Sequence, residues 1–246
     1  MMNSTRILLK IELNSILRRK LTTFMSIILP LAFYLLFTSI LDLPEEAKKQ
    51  FNKDYMYSMT TFSLINFCLM QFPFGMIEEK INGWYKRLTT IPIAPSNYFL
   101  AKVLKTMLLF FCSIVLIFSV AHFYKDVTLE ISQWILSGLV LWVGASLFLT
   151  LGLVIAQFND IQKASSIANL LNLGMAILGG LWFPTNTFPD WLQMISKWMP
   201  TYQLKQVAIE LSKGHSIPIN SSLLLVVYSI IFLIIALLIN KKKEVK

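Results

Sequence analysis

An all-α membrane protein is the fold class this sequence predicts, and three observations predict it. Hydrophobic residues make up 56% of the 246 and charged residues only 14%, with a mean hydropathy of +0.63. A soluble domain carries about 25% charged residues, so this chain cannot clothe a water-facing surface. Disorder is excluded as well, because it requires low hydrophobicity and high charge. The apolar residues are also gathered into six runs near the ~20 residues that a helix needs to cross a bilayer core. Finally, Lys and Arg are shared unequally between the segments that join those runs. The runs are long and continuous, whereas barrel strands would alternate over about 10 residues.

In chain order, residues 1–20 come first. Ile7, Leu8, Ile11 and Ser15 fall on one helical stripe, with Leu13, Ile16 and Leu17 beside it and Arg6, Lys10, Glu12 and Arg18 elsewhere. This pattern predicts an amphipathic helix lying on the membrane surface, the plainer alternative being a basic tail that only sets topology. Residues 21–41 are the first span. They are uncharged, longer than a signal-peptide core and followed by no A-x-A cleavage site, so the span is expected to be retained. The second span is 58–77, also uncharged. The third is 103–124, with Lys105 at its start and His122 near its end. The fourth, fifth and sixth are 131–158, 164–183 and 222–240.

Orientation follows from the basic residues. One side of the membrane receives fifteen basic and five acidic residues, a net +10; the other receives seven and eight, a net −1. The basic side is expected to be cytoplasmic, with both termini inside. The overall charge of +9 is therefore topogenic, and no soluble basic domain is long enough to bind nucleic acid. One domain is expected, with segments 42–57 and 184–221 outside and 78–102 inside. Matching broken helices in the two halves, the mark of many secondary transporters, are absent.

Chemistry-bearing groups are sparse. Cys68 and Cys112 lie in apolar stretches, and His122 and His215 are far apart, so neither a disulfide framework nor a metal site is expected. The sequence has no H-E-x-x-H, no Ser-His-Asp grouping on one membrane face, and no G-x-x-x-x-G-K-[ST] phosphate loop. No catalytic role and no cofactor are expected of this chain. Nucleotide energy, if used, comes from another polypeptide.

Two segments and two stripes stand out. Glu78 and Glu79, then Gly83, Arg87, Leu88, Pro92 and Pro95, form a charged, proline-punctuated turn that would face a cytosolic partner. Gly179 to Pro184, with Trp182 and Phe183, and then Phe188, Pro189, Trp191, Trp198 and Pro200, break a helix at the opposite interface, where Trp belongs. The stretches 191–198 and 200–211 read as short helices re-entering or lying on the outer leaflet. Ser63, Asn66 and Gln71 mark span two, and Ser165, Asn169 and Asn172 share one face of span five. Such stripes pack helices or face a substrate. No acid is expected at mid-span, which argues against a proton relay.

The order of these parts resembles the membrane subunit of ABC-2 type exporters. The run Glu78-Glu79, Gly83, Arg87-Leu88, Pro92, Pro95 looks like that family's coupling helix, and Gly180 to Pro184 with Phe188, Pro189 and Pro200 looks like its extracellular hairpin. The resemblance covers nearly the whole chain. It implies six spans with an interfacial N-terminal helix, a second protomer (identical or paralogous) and two copies of a separate ATP-binding subunit that carries ATP and Mg. It also implies coupling through Glu78, Glu79, Arg87 and Leu88 beside Arg18 and Arg19, a cavity lined by Asn66, Phe67, Met70, Asn169, Asn172 and Met175, and a gate or hairpin at Trp182, Phe183, Pro184, Phe188 and Pro189. The implied activity is ATP-driven alternating access in a bacterial cell membrane for a drug, antibiotic, peptide or lipid. A polysaccharide-type exporter and a non-transporting immunity or sensor protein remain as alternatives.

Overall fold

The computed structural model describes residues 2–18, 20–84, 87, 90 and 95–244. Helix α1 (Met2–Arg18) precedes α2 (Lys20–Ile40). The next helix is much longer than the expected second span. α3 (Glu45–Asn66), a π-helical turn (Phe67–Gln71) and α4 (Phe72–Ile81) follow one another without a break. Most of the segment expected as an outer loop, 42–57, is therefore helix. Pro44 stands at its N-cap and Glu45 and Glu46 occupy its first turn, where carboxylates suit the helix dipole. Its 37 residues rise about 55 Å, well beyond a hydrocarbon core of about 30 Å, so its ends project from the bilayer.

Other boundaries also shift. α5 (Pro95–Lys125) starts inside the expected cytosolic segment 78–102. The expected fourth span is α6 (Ile131–Ser146) and α7 (Leu149–Ile155), broken at Leu147 and Phe148. α8 (Ile161–Leu178) is capped by Asp160, whose carboxylate accepts the N–H groups of Gln162 at 2.7 Å and Lys163 at 3.3 Å. It stops short of the expected Phe183 because Gly180 takes φ +66°, the left-handed region that favours glycine. A Cβ there would lie 2.2 Å from the Thr185 methyl group. A 3₁₀ turn (Thr185–Thr187), α9 (Asp190–Trp198), α10 (Pro200–Ser212) and α11 (Ile219–Glu244) complete the chain.

Five helical stretches among the described residues are long and apolar enough to cross a membrane: Lys20–Ile40, Glu45–Ile81, Ser96–Lys125, Ile131–Ile155 and Ile219–Lys242. α8 is not among the five. It has 18 residues and spends several of them on Gln162, Lys163, Asn169 and Asn172.

α3 is the centre of the bundle. Tyr57, Met59, Leu64, Phe67 and Leu69 along it and its π turn are fully buried, and α2, α5 and α10 pack around it. α10 in turn lies on α6, and α11 on α7 and α10. Segment 184–221 is thus no free hairpin: Leu204, Val207 and Ala208 of α10 belong to the interior. Lipid tails are as apolar as leucine, so close packing and hydrogen bonds must hold such helices together. The Ser63 hydroxyl donates to the Ser26 carbonyl at 2.6 Å and accepts from Ser113 at 2.7 Å. The Tyr57 hydroxyl donates to Ser137 at 3.0 Å, and the Trp142 indole to the Met107 carbonyl at 2.7 Å.

Candidate functional site

At the α1 end, a buried charge cluster joins three helices. The Lys102 ammonium, on α5, contacts Glu12 of α1 at 2.8 Å and Glu79 of α4 at 2.7 Å. Lys105 contacts the second oxygen of Glu12 at 2.5 Å and the Ser15 hydroxyl at 3.3 Å. The Tyr98 hydroxyl donates to Glu79 at 2.5 Å. Burial works to raise the pKa of Glu12, but Lys102 and Lys105 outweigh it and hold the carboxyl below its usual range. Leu8 of α1 packs with Tyr98 and Ala101 beside the cluster, under Trp84. The arrangement makes α1, the end of α4 and the start of α5 one body.

This changes the setting of the predicted coupling residues. Glu79 is engaged within the chain. Glu78 is half-buried and Arg87 is exposed. Arg18 is the last residue of α1, while Arg19 and Leu88 lie outside the described residues.

In the middle of the bundle, the predicted cavity residues divide. The Asn172 amide donates to the Asn66 carboxamide oxygen at 2.8 Å, both buried, which leaves the Asn172 oxygen unpaired. Phe67 is turned into the chain's own core, 6.2 Å from the Phe110 ring. Met70 and Met175 are half-buried, and the Met175 carbonyl accepts from the Thr201 hydroxyl at 2.9 Å. Asn169 is exposed and points its amide back to Ser165 at 3.4 Å. The π-helical turn begins directly after Asn66, and π insertions in α-helices recur at functional sites.

At the hairpin end, Trp182 stands edge-on to Phe33 and Phe62, with ring centroids 5.8 and 5.6 Å away. Phe183, Pro184 and Pro189 are exposed and Phe188 is half-buried. The same corner holds a group the sequence reading missed. Lys205, on α10, is buried and donates to the Gly180 carbonyl at 2.6 Å. Burial pushes its pKa down to about 8 against the opposing pull of Asp54.

Lys102 and Glu12 were missed for a different reason. From sequence, Lys102 is one of the basic residues that set topology and Glu12 sits on the polar side of the N-terminal helix, which places both at the surface. The available signal was Lys105, a cation inside an apolar run, which demands a counter-ion.

Helices with lipid-facing apolar surfaces, arranged around one buried central rod, make this a multi-pass membrane protein. Residues 3–204 match the family model described as ABC-2 type transporter. Over 233 residues the chain is 30% identical to a protein of Bacillus subtilis (strain 168) named "Putative transport permease YvfS", covering 95% of each chain. The chain belongs to the ABC-2 type transporter family and is a permease of that family.

Proposed function

We propose that this permease exports an amphipathic substrate from the cytosol, as one of two protomers driven by two copies of a separate ATP-binding subunit. The observation that carries this reading is the polarity of α8. Gln162, Ser166 and Asn169 lie at i, i+4 and i+7, and all are exposed. Between residues 223 and 238 the exposed positions of α11, by contrast, are all apolar, Leu223, Val227, Ile230, Ile234 and Leu237 among them. Hydrocarbon cannot satisfy an amide, so a stripe like that of α8 belongs against a second protomer and a wet translocation route. Leu170 and Leu173, exposed on the same helix, give the route the mixed character that an amphipathic drug, antibiotic, peptide or lipid requires.

On this reading α8 is the sixth crossing, the α1 end faces the cytosol, and both termini are inside. Asn169, Met70 and Met175 line the route, and a rotation of α8 exposes Asn172 and Asn66. Phe67 supports the wall from within. The ATPase docks on the segment after Glu78, through Arg87 and Leu88 together with Arg18 and Arg19. Glu79 acts by holding that segment to α5. ATP and Mg remain on the partner. Trp182, Phe183, Pro184, Phe188 and Pro189 form the outer gate.

The test is a gentle detergent extraction of the chain with an affinity tag after Lys246. A stoichiometric soluble protein bearing a phosphate-cradling loop is expected to co-purify, and Arg87→Glu to release it. A clean preparation of this chain alone would overturn the ATPase assignment. Export that persists unchanged in Gln162→Leu/Asn169→Leu would overturn the route.

A further inference from the structure

Helix α9 turns its apolar side outward. Trp191, Met194, Ile195 and Trp198 lie at i, i+3, i+4 and i+7 and all are exposed. A short helix with such a stripe belongs in a membrane interface, with its tryptophans at headgroup level. Beside it, a groove of about 550 Å³ opens between the corner of α9 and α10 and the first turns of α11. Its lining mixes polar Lys197, Gln203 and Asn220 with apolar Leu224 and Val227 of α11. From Asn220 to Val227 the helix rises about 10 Å, the distance from headgroups into the upper acyl region. Lys197 forms no ion pair among the described residues, and no acid lines the groove.

We propose that this groove binds one glycerophospholipid of the leaflet at the hairpin end, with a headgroup of net negative charge. Lys197 takes the phosphate, the Asn220 amide adds a donor, and an acyl chain lies along Leu224 and Val227. The argument is charge complementarity. A lone cation at a membrane interface is matched by a phosphodiester through a charge-assisted hydrogen bond. A zwitterionic lipid such as phosphatidylcholine brings a second, uncompensated cation to the same place, whereas phosphatidylglycerol does not. The site also sits on a joint. The Tyr228 hydroxyl, on α11, donates to the Trp198 carbonyl at 2.7 Å, where α9 gives way to α10. A lipid held there ties the corner to α11 a second time.

The test is native mass spectrometry of the full chain released from nanodiscs of equimolar phosphatidylglycerol and phosphatidylcholine. Wild type and Lys197→Arg are expected to retain one phosphatidylglycerol per chain. Lys197→Glu, a two-charge change with each charge worth roughly fivefold at a membrane surface, should retain about thirtyfold less. Leu224→Trp, which fills the apolar part of the groove, should also lose the lipid. Lys197 is exposed, so its variants leave the interior intact, and their thermal unfolding is expected to match wild type. Three results would overturn the proposal. One is equal retention by Lys197→Glu and wild type. Another is retention of the two lipids in the ratio supplied. The third is a wild type that retains no lipid, together with a Val227→Cys variant that cross-links two copies of the chain.

Discussion

Removing the carboxylate of Glu12 should loosen α1 from the rest of the molecule. The two oxygens of Glu12 hold Lys102 at 2.8 Å and Lys105 at 2.5 Å, and the Lys102 side chain is only 1% exposed. Deleting one partner of a buried pair costs ~3–5 kcal/mol, because the other charge is left stranded. Here Lys102 keeps Glu79 at 2.7 Å, so the stranded group is Lys105, whose remaining partner is the Ser15 hydroxyl at 3.3 Å. The expected loss for Glu12→Gln therefore sits at the low end, about 3 kcal/mol. It falls on α1, which rests on α5 and α2, rather than on α5, which is also held by α3 and α6. Hydrogen exchange followed by mass spectrometry reads this directly. Amides of residues 5–16 should exchange about two orders of magnitude faster in the variant. Adding Lys105→Met removes the stranded cation and should restore most of the protection. The pH dependence has a definite sign. Because the folded state holds the Glu12 pKa below 4.5, its contribution is complete above about pH 4.5 and is lost as pH falls through the depressed value. Unchanged exchange in Glu12→Gln, or no rescue in the double variant, would refute the claim that these pairs hold the helix.

Three further outcomes follow. Lys205 is charged in the folded state only below about pH 8 but up to about pH 10.5 when unfolded. Stability should therefore rise by up to about 3 kcal/mol between those values, and Lys205→Met should abolish the rise in thermal unfolding scans. Gly152→Ala would place a Cβ 2.4 Å from the Cys68 carbonyl oxygen and 3.0 Å from the Phe72 ring; α7 must then shift off the π turn, at a cost of about 1–3 kcal/mol in thermal unfolding. Asn172→Leu should separate two roles: on the proposed reading, in which a rotation of α8 exposes the pair, export falls while α8 keeps its place by hydrogen exchange; a loss of fold equal to the loss of export would assign the pair to packing alone.

Five of the six expected runs coincide with helices long and apolar enough to cross a membrane, α8 being the exception, because hydropathy is summed over some twenty residues and tolerates local error. Their ends were not legible. Residues 45–57 read as a loop because Glu45, Glu46, Lys48, Lys49, Lys53 and Asp54 crowd them, yet the helix simply continues past the bilayer. The break within 131–158 carries no proline. It falls at Leu147 and Phe148, two residues indistinguishable by composition from their neighbours. For the candidate site, the pairing of Asn66 with Asn172 lay within reach, since polar residues in apolar helices must find partners. The destination of Phe67 did not, because one helical face looks much like another when α3 is surrounded on all sides. The charge cluster was hidden by distance along the chain: Glu12 and Lys102 are separated by 90 positions, and no spacing rule joins them.

The central rod explains how the two ends of the molecule are connected. α3, its π turn and α4 form one continuous helical path from Glu45 to Ile81. At the α1 end, that path is fixed to α5 by Glu79. At the hairpin end, it lies against α10, whose Lys205 holds the carbonyl of Gly180. Any displacement applied after Glu78 must therefore move α1 and α5 together with α4 and reach the rod as a whole. The rod has one local irregularity, residues 67–71, where backbone bonds are already rearranged and least additional cost attaches to bending. Asn66 stands at its edge and faces α8 through Asn172. In the proposed cycle, ATP-driven movement at the cytosolic end is converted at this turn into rotation of α8, and the groove of the route opens where the two asparagines now face each other. Replacing the charge cluster with apolar residues should thus uncouple ATP hydrolysis from export while leaving Asn66 and Asn172 paired, an outcome that direct damage to the route would not produce.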